Sequence, residues 1–396
     1  MKVLVINAGS SSLKYQLIDM QDESVILKGL CERITFTGGQ LTQKTFDGRE
    51  IVIKQDMPSH KEAMELVLKA MLDSEKGALK SVDEIGAVGH RVLHSAEDFH
   101  ASVVIDDEVI AICEKNAELG PLHMPGNIAC IKSCRDVMKG VPMVAVFDTT
   151  FHSTMPAKAY MYGIPYEVYK EHKIRKYGFH GTSHKFVSEE TGKILNDKNA
   201  RMVICHLGNG SSISAVKDGK CQDTSMGFTP LEGLVMGTRS GDIDPAAVDY
   251  LRAKLNLKPD EVVNYLNKKC GMLGISGFSS DMRDLTAKME AGDERAKLAI
   301  EMVAYRVRKY VGSYIAVLGG VDAIVFTGGI GEHSPLVRKL VMENMEYCGA
   351  EFDLEKNANY DNGVGELNKA GSKVKILVVP TNEELSIARE TKTLVE

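Results

Sequence analysis

The spacing of apolar residues at the N-terminus predicts a hairpin. An uninterrupted apolar run, Val3 to Ile6, is followed by the small and polar residues 7–12. Leu13, Tyr15 and Leu17 then alternate with polar positions, as in a strand that buries one face. We therefore expect two antiparallel strands joined by a serine-rich turn.

The same pattern returns in the second half of the chain. Residues 202–205 are apolar, 206–212 form a Gly/Ser-rich turn, and Ile213 and Ala215 begin a returning strand that ends at Asp218-Gly219. Two widely separated strand–turn–strand units indicate a duplicated domain, because solenoid repeats are far shorter. The sequence therefore predicts two related halves.

Strands and helices alternate through the rest of the chain, which is typical of α/β proteins. The apolar run 141–147 predicts a buried strand that ends at Asp148, and the loop up to Met155-Pro156 is a suitable domain boundary. A helical period over 292–318 stops at Gly319-Gly320.

The C-terminal part continues this alternation. The strand 323–326 leads into the Gly-rich turn 327–333, after which Ser334-Pro335 is expected to begin a helix. A strand over 374–379 and a helix that starts near 381–384 complete the pattern. The fold class predicted from this order is α/β.

Composition limits the possible partners and compartments. A chain of 396 residues is expected to form two domains, and a net charge of −6 without a Lys/Arg block argues against nucleic acid or an anionic membrane. No apolar stretch approaches membrane-spanning length. The eight cysteines are scattered; Cys130 and Cys134 are the closest pair, and no second cluster completes a tetrahedral metal site. We expect reduced thiols in a cytoplasmic protein.

Three turns offer small residues where a strand ends: 7–12, 206–212 and 327–333. Glycine and serine allow the backbone to approach a phosphate, and their N–H and O–H groups donate to it. None of the three matches a P-loop or a dinucleotide fingerprint, and each alone is compatible with an ordinary hairpin. Together they resemble the nucleotide clamp of the actin-like ATPase superfamily, which includes sugar kinases and heat-shock chaperones.

Five polar residues are candidates for phosphoryl-transfer chemistry. The forked guanidinium groups of Arg91 and Arg239 suit carboxylate or phosphoryl oxygens, although either could form a surface ion pair. His180 could donate to a transferring phosphoryl group or could simply be packed. Asp148 and Glu384 are the carboxylates best placed for Mg²⁺, which needs only one or two of them besides phosphates and water.

Eight ordered motifs resemble those of the acetate kinase family, and the resemblance runs from residue 1 to the C-terminus. The motifs are residues 7–14, 178–184, 206–212, 223–227, 229–233, 237–242, 326–332 and 380–384. The resemblance implies reversible, direct in-line transfer of the ATP γ-phosphoryl group to acetate, giving acetyl phosphate and ADP. It also implies Mg²⁺, with Mn²⁺ able to replace it, and a homodimer.

The resemblance further implies two ribonuclease-H-like domains with the active site in the cleft between them. The N-terminal domain would comprise 1–150, completed by a C-terminal helix at about 382–396, and the nucleotide-binding domain 151–381. By this resemblance, Asn7 and Glu384 match the residues that bind Mg²⁺ in the family. The expected ATP contacts are Lys14, His206, Leu207, Gly208, Asn209, Gly210, Asp281, Met282, Arg283, Gly329, Ile330, Gly331, Glu332 and His333.

Carried over in the same way, Arg91 looks like the anchor of the substrate carboxylate and Asp148 like the catalytic acid. His180 and Arg239 look like transition-state stabilisers. Because acetate is already ionised at pH 7, the forward reaction needs no general base. Asp148 could therefore serve as an electrostatic partner that orients an arginine or a metal-bound water.

Two segments depart from the family pattern. In the first, Leu93 stands where valine is usual, and Ser95 and Ala96 stand where two glycines are usual. Leu93 is expected in the apolar pocket with Leu122, Phe179 and Pro230. The larger side chain should favour acetate over propionate or butyrate, although one methylene is worth only about 1–3 kcal/mol. Met124 replaces an asparagine, and nothing in the sequence explains that change.

Two alternative functions remain open from the sequence. A propionate or butyrate kinase would share the chemistry but have a roomier pocket. An ATP-switched binding protein of the actin or chaperone type would need the phosphate turns, but it would not need Arg91 beside an apolar pocket.

Overall fold

A computed structural model describes residues 1–121 and 123–396. The backbone divides into two compact units: unit 1 is Met1–Phe151 with Asn382–Glu396, and unit 2 is His152–Thr381. Within the described residues, no helix is both long and apolar enough to cross a membrane.

Unit 1 contains an eight-stranded sheet in the order β5-β4-β3-β2-β1-β6-β8-β7. Its strands are β1 (Lys2–Ala8), β2 (Ser12–Asp19), β3 (Ser24–Glu32), β4 (Gln40–Thr45), β5 (Glu50–Lys54), β6 (Ile85–Val92), β7 (Val103–Val104) and β8 (Met143–Phe147). Strand β1 runs parallel to β6, and β6 parallel to β8, whereas the other neighbours are antiparallel.

The predicted N-terminal hairpin is confirmed by β1 and β2. Ile6 pairs with Tyr15 and Asn7 with Lys14, and the turn closes where the Gly9 N–H donates to the Ser12 carbonyl at 2.7 Å. Leu13, Tyr15 and Leu17 are buried, as the alternation predicts.

Helices cover both faces of this sheet. On one face lie α1 (His60–Met71) and α3 (Met124–Val137), with α2 (Asp107–Lys115) packed against α3. Residues of α1 and α3 share a buried core with alternate residues of β1 and β6, including Leu4, Ile6 and Val88. Val3 and Val5, on the other face of β1, pack against the C-terminal helix. Each fully buried aliphatic side chain of this kind contributes about 1.5–3 kcal/mol.

Unit 2 contains a six-stranded sheet in the order β11-β10-β9-β12-β14-β13. Its strands are β9 (Met202–Leu207), β10 (Ser211–Lys217), β11 (Lys220–Thr224), β12 (Ala323–Thr327), β13 (Gly365–Glu366) and β14 (Lys375–Val378). The second predicted hairpin is confirmed by β9 and β10, and the predicted strands at 323–326 and 374–379 correspond to β12 and β14.

The two sheets share one topology. In both, three antiparallel strands (β3-β2-β1 and β11-β10-β9) are followed by two parallel strands and a short antiparallel edge strand. Strands β4 and β5 are the only additions in the sheet of unit 1 among the described residues. This correspondence supports the duplication that the sequence indicates.

The remaining helices are α4 (Ala157–Tyr160), α5 (Tyr166–His172), α6 (Gly181–Leu195), α7 (Pro245–Lys254), α8 (Pro259–Lys268), α9 (Gly271–Ser276), α10 (Met282–Glu290), α11 (Glu294–Leu318), α12 (Gly328–His333), α13 (Pro335–Met342), α14 (Leu354–Asn359) and α15 (Glu383–Val395). The predicted long helix is confirmed by α11, which ends where Gly319 adopts the left-handed conformation.

The Gly-rich segment after β12 differs from its predicted form. The sequence predicts a turn over 327–333, whereas Gly328 to His333 form the short helix α12 before Ser334 caps α13. The Glu332 carboxylate accepts from the Gly328 N–H at 2.9 Å, and the buried Arg338 donates to the carbonyls of Gly331 and Glu332. These bonds satisfy both ends of a helix too short to be stable by itself.

Candidate active site

Arg91 and Asp148 meet at the carboxyl ends of two parallel strands. Arg91 is the penultimate residue of β6 and Asp148 follows β8, where its N–H donates to the Val92 carbonyl at 3.0 Å. Arg91 Nη2 donates to Asp148 Oδ2 at 2.5 Å, and Nη1 to Asn7 Oδ1 at 3.4 Å. Asp148 is 1% exposed. The guanidinium of Arg91 is thus held by the buried carboxylate of Asp148 and by the side-chain oxygen of Asn7.

A cavity of about 430 Å³ opens beside this pair in unit 1. Its wall includes four residues to which the sequence assigns a role: Asn7 at the end of β1, Lys14 paired opposite it on β2, Arg91, and Glu384 at the start of α15. The residues predicted to bind Mg²⁺ and the arginine predicted to bind the substrate carboxylate therefore line one cavity.

Glu383 is a further acidic residue on this wall that sequence reasoning missed. Burial, followed by the negative charge of Asp148, raises the pKa of its carboxyl. Burial by itself would lower the pKa of Arg91, but Asp148 and Glu383 raise it overall, so the guanidinium stays charged. The motif at 380–384 signals two adjacent carboxylates; the sequence does not show which of them lies deeper.

His180 stands at the entrance to α6 in unit 2. Its backbone is left-handed (φ 57°), a conformation that costs a non-glycine residue energy and often occurs at functional sites. The ring lies 4.4 Å from that of His206, centroid to centroid, and Nδ1 lies 2.9 Å from Ser212 Oγ. Packing and hydrogen bonding thus fix the ring.

His184 determines which nitrogen of His180 carries a proton. His184 is fully buried, and burial lowers its pKa well below the usual value, so the ring is neutral. Its Nε2 lies 2.7 Å from Ser212 Oγ, whereas its Nδ1 has no hydrogen-bond partner in the part of the chain that the structure describes, which favours the proton on Nε2. Ser212 then accepts from His184 and donates to Nδ1 of His180. This leaves His180 Nε2 as a donor.

Arg239 is a half-buried cation, and no carboxylate of the described residues forms an ion pair with it. Its Nη1 donates to the Pro230 carbonyl at 3.1 Å, and burial lowers the pKa of the guanidinium. A Cβ added to Gly210 would lie 3.3 Å from His180 Nε2 and 3.6 Å from Arg239 Nη1. The backbone of Gly210, the Nε2 donor of His180 and the guanidinium of Arg239 therefore lie close together.

A second cavity, of about 930 Å³, lies in unit 2. Eight of the predicted ATP contacts line it: Gly208, Asn209, Asp281, Met282, Arg283, Gly329, Ile330 and His333. Met289 and Leu336 add apolar surface, and Arg283 holds Asp281, the N-cap of α10, through Nε and Nη2. A glycine edge, an apolar wall and a fixed carboxylate suit a nucleotide.

The other predicted contacts lie elsewhere. Leu207 is buried in β9, His206 Nδ1 lies 2.8 Å from Ser183 Oγ, and Gly331 and Glu332 belong to the bonds that hold α12. Lys14 lines the cavity of unit 1.

Of the four predicted acyl-pocket residues, Leu93 and Phe179 are buried, and the Pro230 carbonyl accepts from Arg239. Leu122 lies outside the described residues.

The sheet topology repeated in the two units and the glycine-edged cavity of unit 2 are those of a kinase with the two-domain actin-like ATPase fold. The acetokinase family model matches residues 2–389, and the chain belongs to that family. An acetate kinase of Desulfitobacterium hafniense (strain DSM 10664 / DCB-2) is 54% identical over 398 residues, with both chains fully covered.

Solved structures agree with this assignment. The acetate kinase of Porphyromonas gingivalis is 44% identical with a TM-score of 0.97, and both chains are fully covered. A propionate kinase from Francisella tularensis is 42% identical with a TM-score of 0.92, covering 99% of each chain.

Proposed function

We propose that the chain is an acetate kinase, which transfers the γ-phosphoryl group of ATP to acetate and also catalyses the reverse reaction. The observation that carries the proposal is the charged, oriented Arg91 beside a cavity that also contains oxygen ligands for a metal. A protein that uses ATP only as a conformational switch has no need of a carboxylate anchor.

Arg91 is proposed to bind the acetate carboxylate. Asp148 engages only Nη2 and Asn7 makes a long contact with Nη1, so the guanidinium keeps donor capacity for a second anion. The Arg91 Nε has no hydrogen-bond partner within the described chain. Charge-assisted bonds to a carboxylate would satisfy it and fix the acceptor oxygen.

Asp148 is proposed to be a positioning residue. Its ion pair with Arg91 accounts for its burial, and an acetate oxygen that is already ionised needs no base. In the forward reaction that oxygen attacks the γ-phosphorus. The bond from the γ-phosphorus to the β–γ bridging oxygen breaks, and ADP leaves with that electron pair.

His180 and Arg239 are proposed to stabilise the charge that develops on the equatorial phosphoryl oxygens. The Nε2 donor of His180 and the guanidinium of Arg239 both lie within 3.6 Å of the position that a Cβ on Gly210 would take, so the missing side chain leaves this position open. Donors positioned in advance in a partly desolvated site are an effective way to stabilise such charge.

The residues present fit a divalent metal, and we propose Mg²⁺. Mg²⁺ prefers oxygen ligands and usually takes one or two carboxylates together with phosphates and water. The amide oxygen of Asn7 and the Glu384 carboxylate share one cavity wall, with Glu383 as a second carboxylate there. When bound, the metal would neutralise phosphate charge and orient the leaving group.

The first test is the formation of acyl phosphate, trapped with hydroxylamine, from MgATP with acetate, propionate and butyrate. We expect the highest kcat/KM for acetate, because Leu93 is larger than the valine usual in the family and should narrow the proposed acyl pocket. A higher value for propionate would favour a propionate kinase, and product from none of the acids would overturn the assignment to this chemistry.

Variants make the same assay specific to the proposed anchor. Arg91→Ala should raise the KM for acetate and lower kcat, whereas the exposed Arg135→Ala, which loses only an ion pair with Asp107, should behave like the wild type. Equal activity in both variants would remove Arg91 from the site.

We also propose that the protein is a homodimer. Leu298, Met302 and Tyr305 are exposed on one face of α11, at positions i, i+4 and i+7. Large apolar side chains aligned in this way are typical of a surface that a second copy covers.

A further inference from the structure

A histidine and two cysteines that the proposed reaction does not use lie together in the core of unit 1. Strand β6 carries His90 on the face covered by α3, next to Arg91 on the opposite face. On α3, Cys130 and Cys134 are four residues apart and share one side of the helix. The ligand atoms of the three residues lie within 4.8 Å of one another.

One buried nitrogen of this cluster lacks a hydrogen-bond partner among the described residues. His90 is 2% exposed, and its Nε2 has no hydrogen-bond partner among the described residues, whereas buried nitrogen atoms normally have one. Both thiols are fully buried.

We propose that His90, Cys130 and Cys134 bind a soft d¹⁰ cation, either Zn²⁺ or Cu⁺. Two sulfur ligands and an imidazole are the donor set that such ions prefer. The bound group would be electrically neutral with two thiolates around Zn²⁺, or with one thiolate and one thiol around Cu⁺. A fully buried site requires that neutrality.

The geometry favours an ion over a disulfide. Residues four apart on a helix have Cβ atoms about 5–6 Å apart, whereas a disulfide needs about 3.5–4.5 Å. Oxidation would therefore require α3 to unwind. Ligands around a tetrahedral zinc lie about 3.8 Å apart for bond lengths near 2.3 Å, and side-chain rotation alone can close that difference.

An ion at this place would link α3 to β6. The side chain of Asn127, on α3, already donates to the Ala8 carbonyl and accepts from the Leu93 N–H. A metal would add a direct connection from α3 to β6, the strand that carries Arg91. Binding should therefore raise the stability of unit 1.

The test uses the full-length protein, purified with reductant and chelator and then kept anaerobic with excess Mg²⁺. Zn²⁺ and Cu⁺ are titrated separately in competition with a chromophoric chelator. We expect one tightly bound equivalent of one of the two ions and a higher unfolding temperature with it. The isosteric double variant Cys130→Ser/Cys134→Ser should lose the binding by a factor of roughly a hundred or more.

Cys113→Ser is the matched control, because Cys113 is a buried helical cysteine of the same unit outside the cluster. It should bind the ion as the wild type does. Tight Zn²⁺ binding would identify the neutral two-thiolate site and tight Cu⁺ binding the one-thiolate site. Binding of neither ion, or equal binding by the double variant, would overturn the proposal.

If the double variant does not fold, a measurement on the wild-type protein still tests whether the cysteines are ligands. Co²⁺ added in place of Zn²⁺ should give thiolate-to-cobalt charge-transfer absorption if the cysteines are ligands. Cobalt bound without that absorption would place it on oxygen ligands and overturn the assignment.

Discussion

The charge of Asp148 is the feature of the site that a single substitution can isolate. The carboxylate is buried and its Oδ2 accepts from Arg91 at 2.5 Å. Asparagine keeps the shape and an acceptor oxygen but removes the charge. A guanidinium in this position then loses its main compensating group, which in buried pairs costs about 3–5 kcal/mol.

We therefore expect Asp148→Asn to lower kcat/KM for acetate by roughly a hundredfold or more, with little change in the shape of the pH profile. The measurement is the pH dependence of kcat/KM at several Mg²⁺ concentrations. A pH-dependent limb lost in the variant would contradict the positioning role and support proton transfer by Asp148. Asp107→Asn, at an exposed ion pair with Arg135, is the control.

His184 predicts a dependence of stability on pH. Its pKa in the folded protein lies well below that of an unfolded histidine, about 6.5. Below that value the unfolded chain binds a proton that the folded chain does not, so stability falls as the pH falls, by up to about 1.4 kcal/mol per pH unit. His184→Gln should show a smaller loss of unfolding temperature between pH 6.5 and 5 than the wild type.

The matched control is His172→Gln, because that side chain is exposed. It should leave the pH dependence of the wild type unchanged. A variant of His184 with the full wild-type slope would show that the acid lability originates elsewhere.

The sequence identifies single functional residues more readily than it identifies the contacts between them. Arg91 and Asp148 could each be singled out from local context, but their ion pair joins positions 57 residues apart and depends on the parallel pairing of β6 with β8. For the same reason the approach of His90 to Cys130 and Cys134 was missed. Residue spacing records neighbours on one element, whereas these contacts join different elements.

At the scale of elements, α3 is placed by a glycine. A Cβ on Gly126 would lie 2.7 Å from the Gly9 carbonyl oxygen and 3.1 Å from the Ser10 nitrogen, both backbone atoms. The helix α3 therefore packs directly onto the turn between β1 and β2. His60 of α1 supports the same turn, since its Nε2 lies 2.8 Å from the Gly9 carbonyl oxygen.

Gly126→Ala should force α3 away from this turn, because backbone atoms cannot yield as a flexible side chain does. We expect a loss of about 1–3 kcal/mol in stability, typical of overpacking, together with a lower kcat because Asn7, near the end of β1, lies beside this turn. Thermal unfolding and the acyl phosphate assay measure the two effects. Gly192→Ala, on α6, meets no atom closer than 3.5 Å and should be neutral or stabilising.

Elements with a strong local signal were predicted correctly, and α12 was not. The strand β12 and the capped start of α13 follow from an apolar run and from Ser334-Pro335. The glycines between them suggest a turn by composition. They form a helix whose end is stabilised by Arg338, a residue of the next helix that donates to the carbonyls of Gly331 and Glu332, and helix propensity does not include this stabilisation.

At the scale of the whole molecule, the repeated topology could be predicted only in part. Two strand–turn–strand motifs reveal the antiparallel half of each sheet, because their pairing is local. The parallel pairs β1·β6 and β9·β12 join strands separated by long connections, and no sequence period marks them. The family resemblance supplied that information.

The exposed face of α11 leads to a prediction about assembly. Light scattering on the wild type should give twice the mass of the 43.3 kDa chain. Met302→Glu, which puts a charge in the middle of the apolar stripe, should shift the protein toward the monomer, because a buried unpaired carboxylate is costly. Phe46→Glu makes a similar change at an exposed turn of unit 1 and should leave the mass unchanged. A monomeric wild type would refute the dimer, whereas a dimeric Met302→Glu variant would place the interface elsewhere.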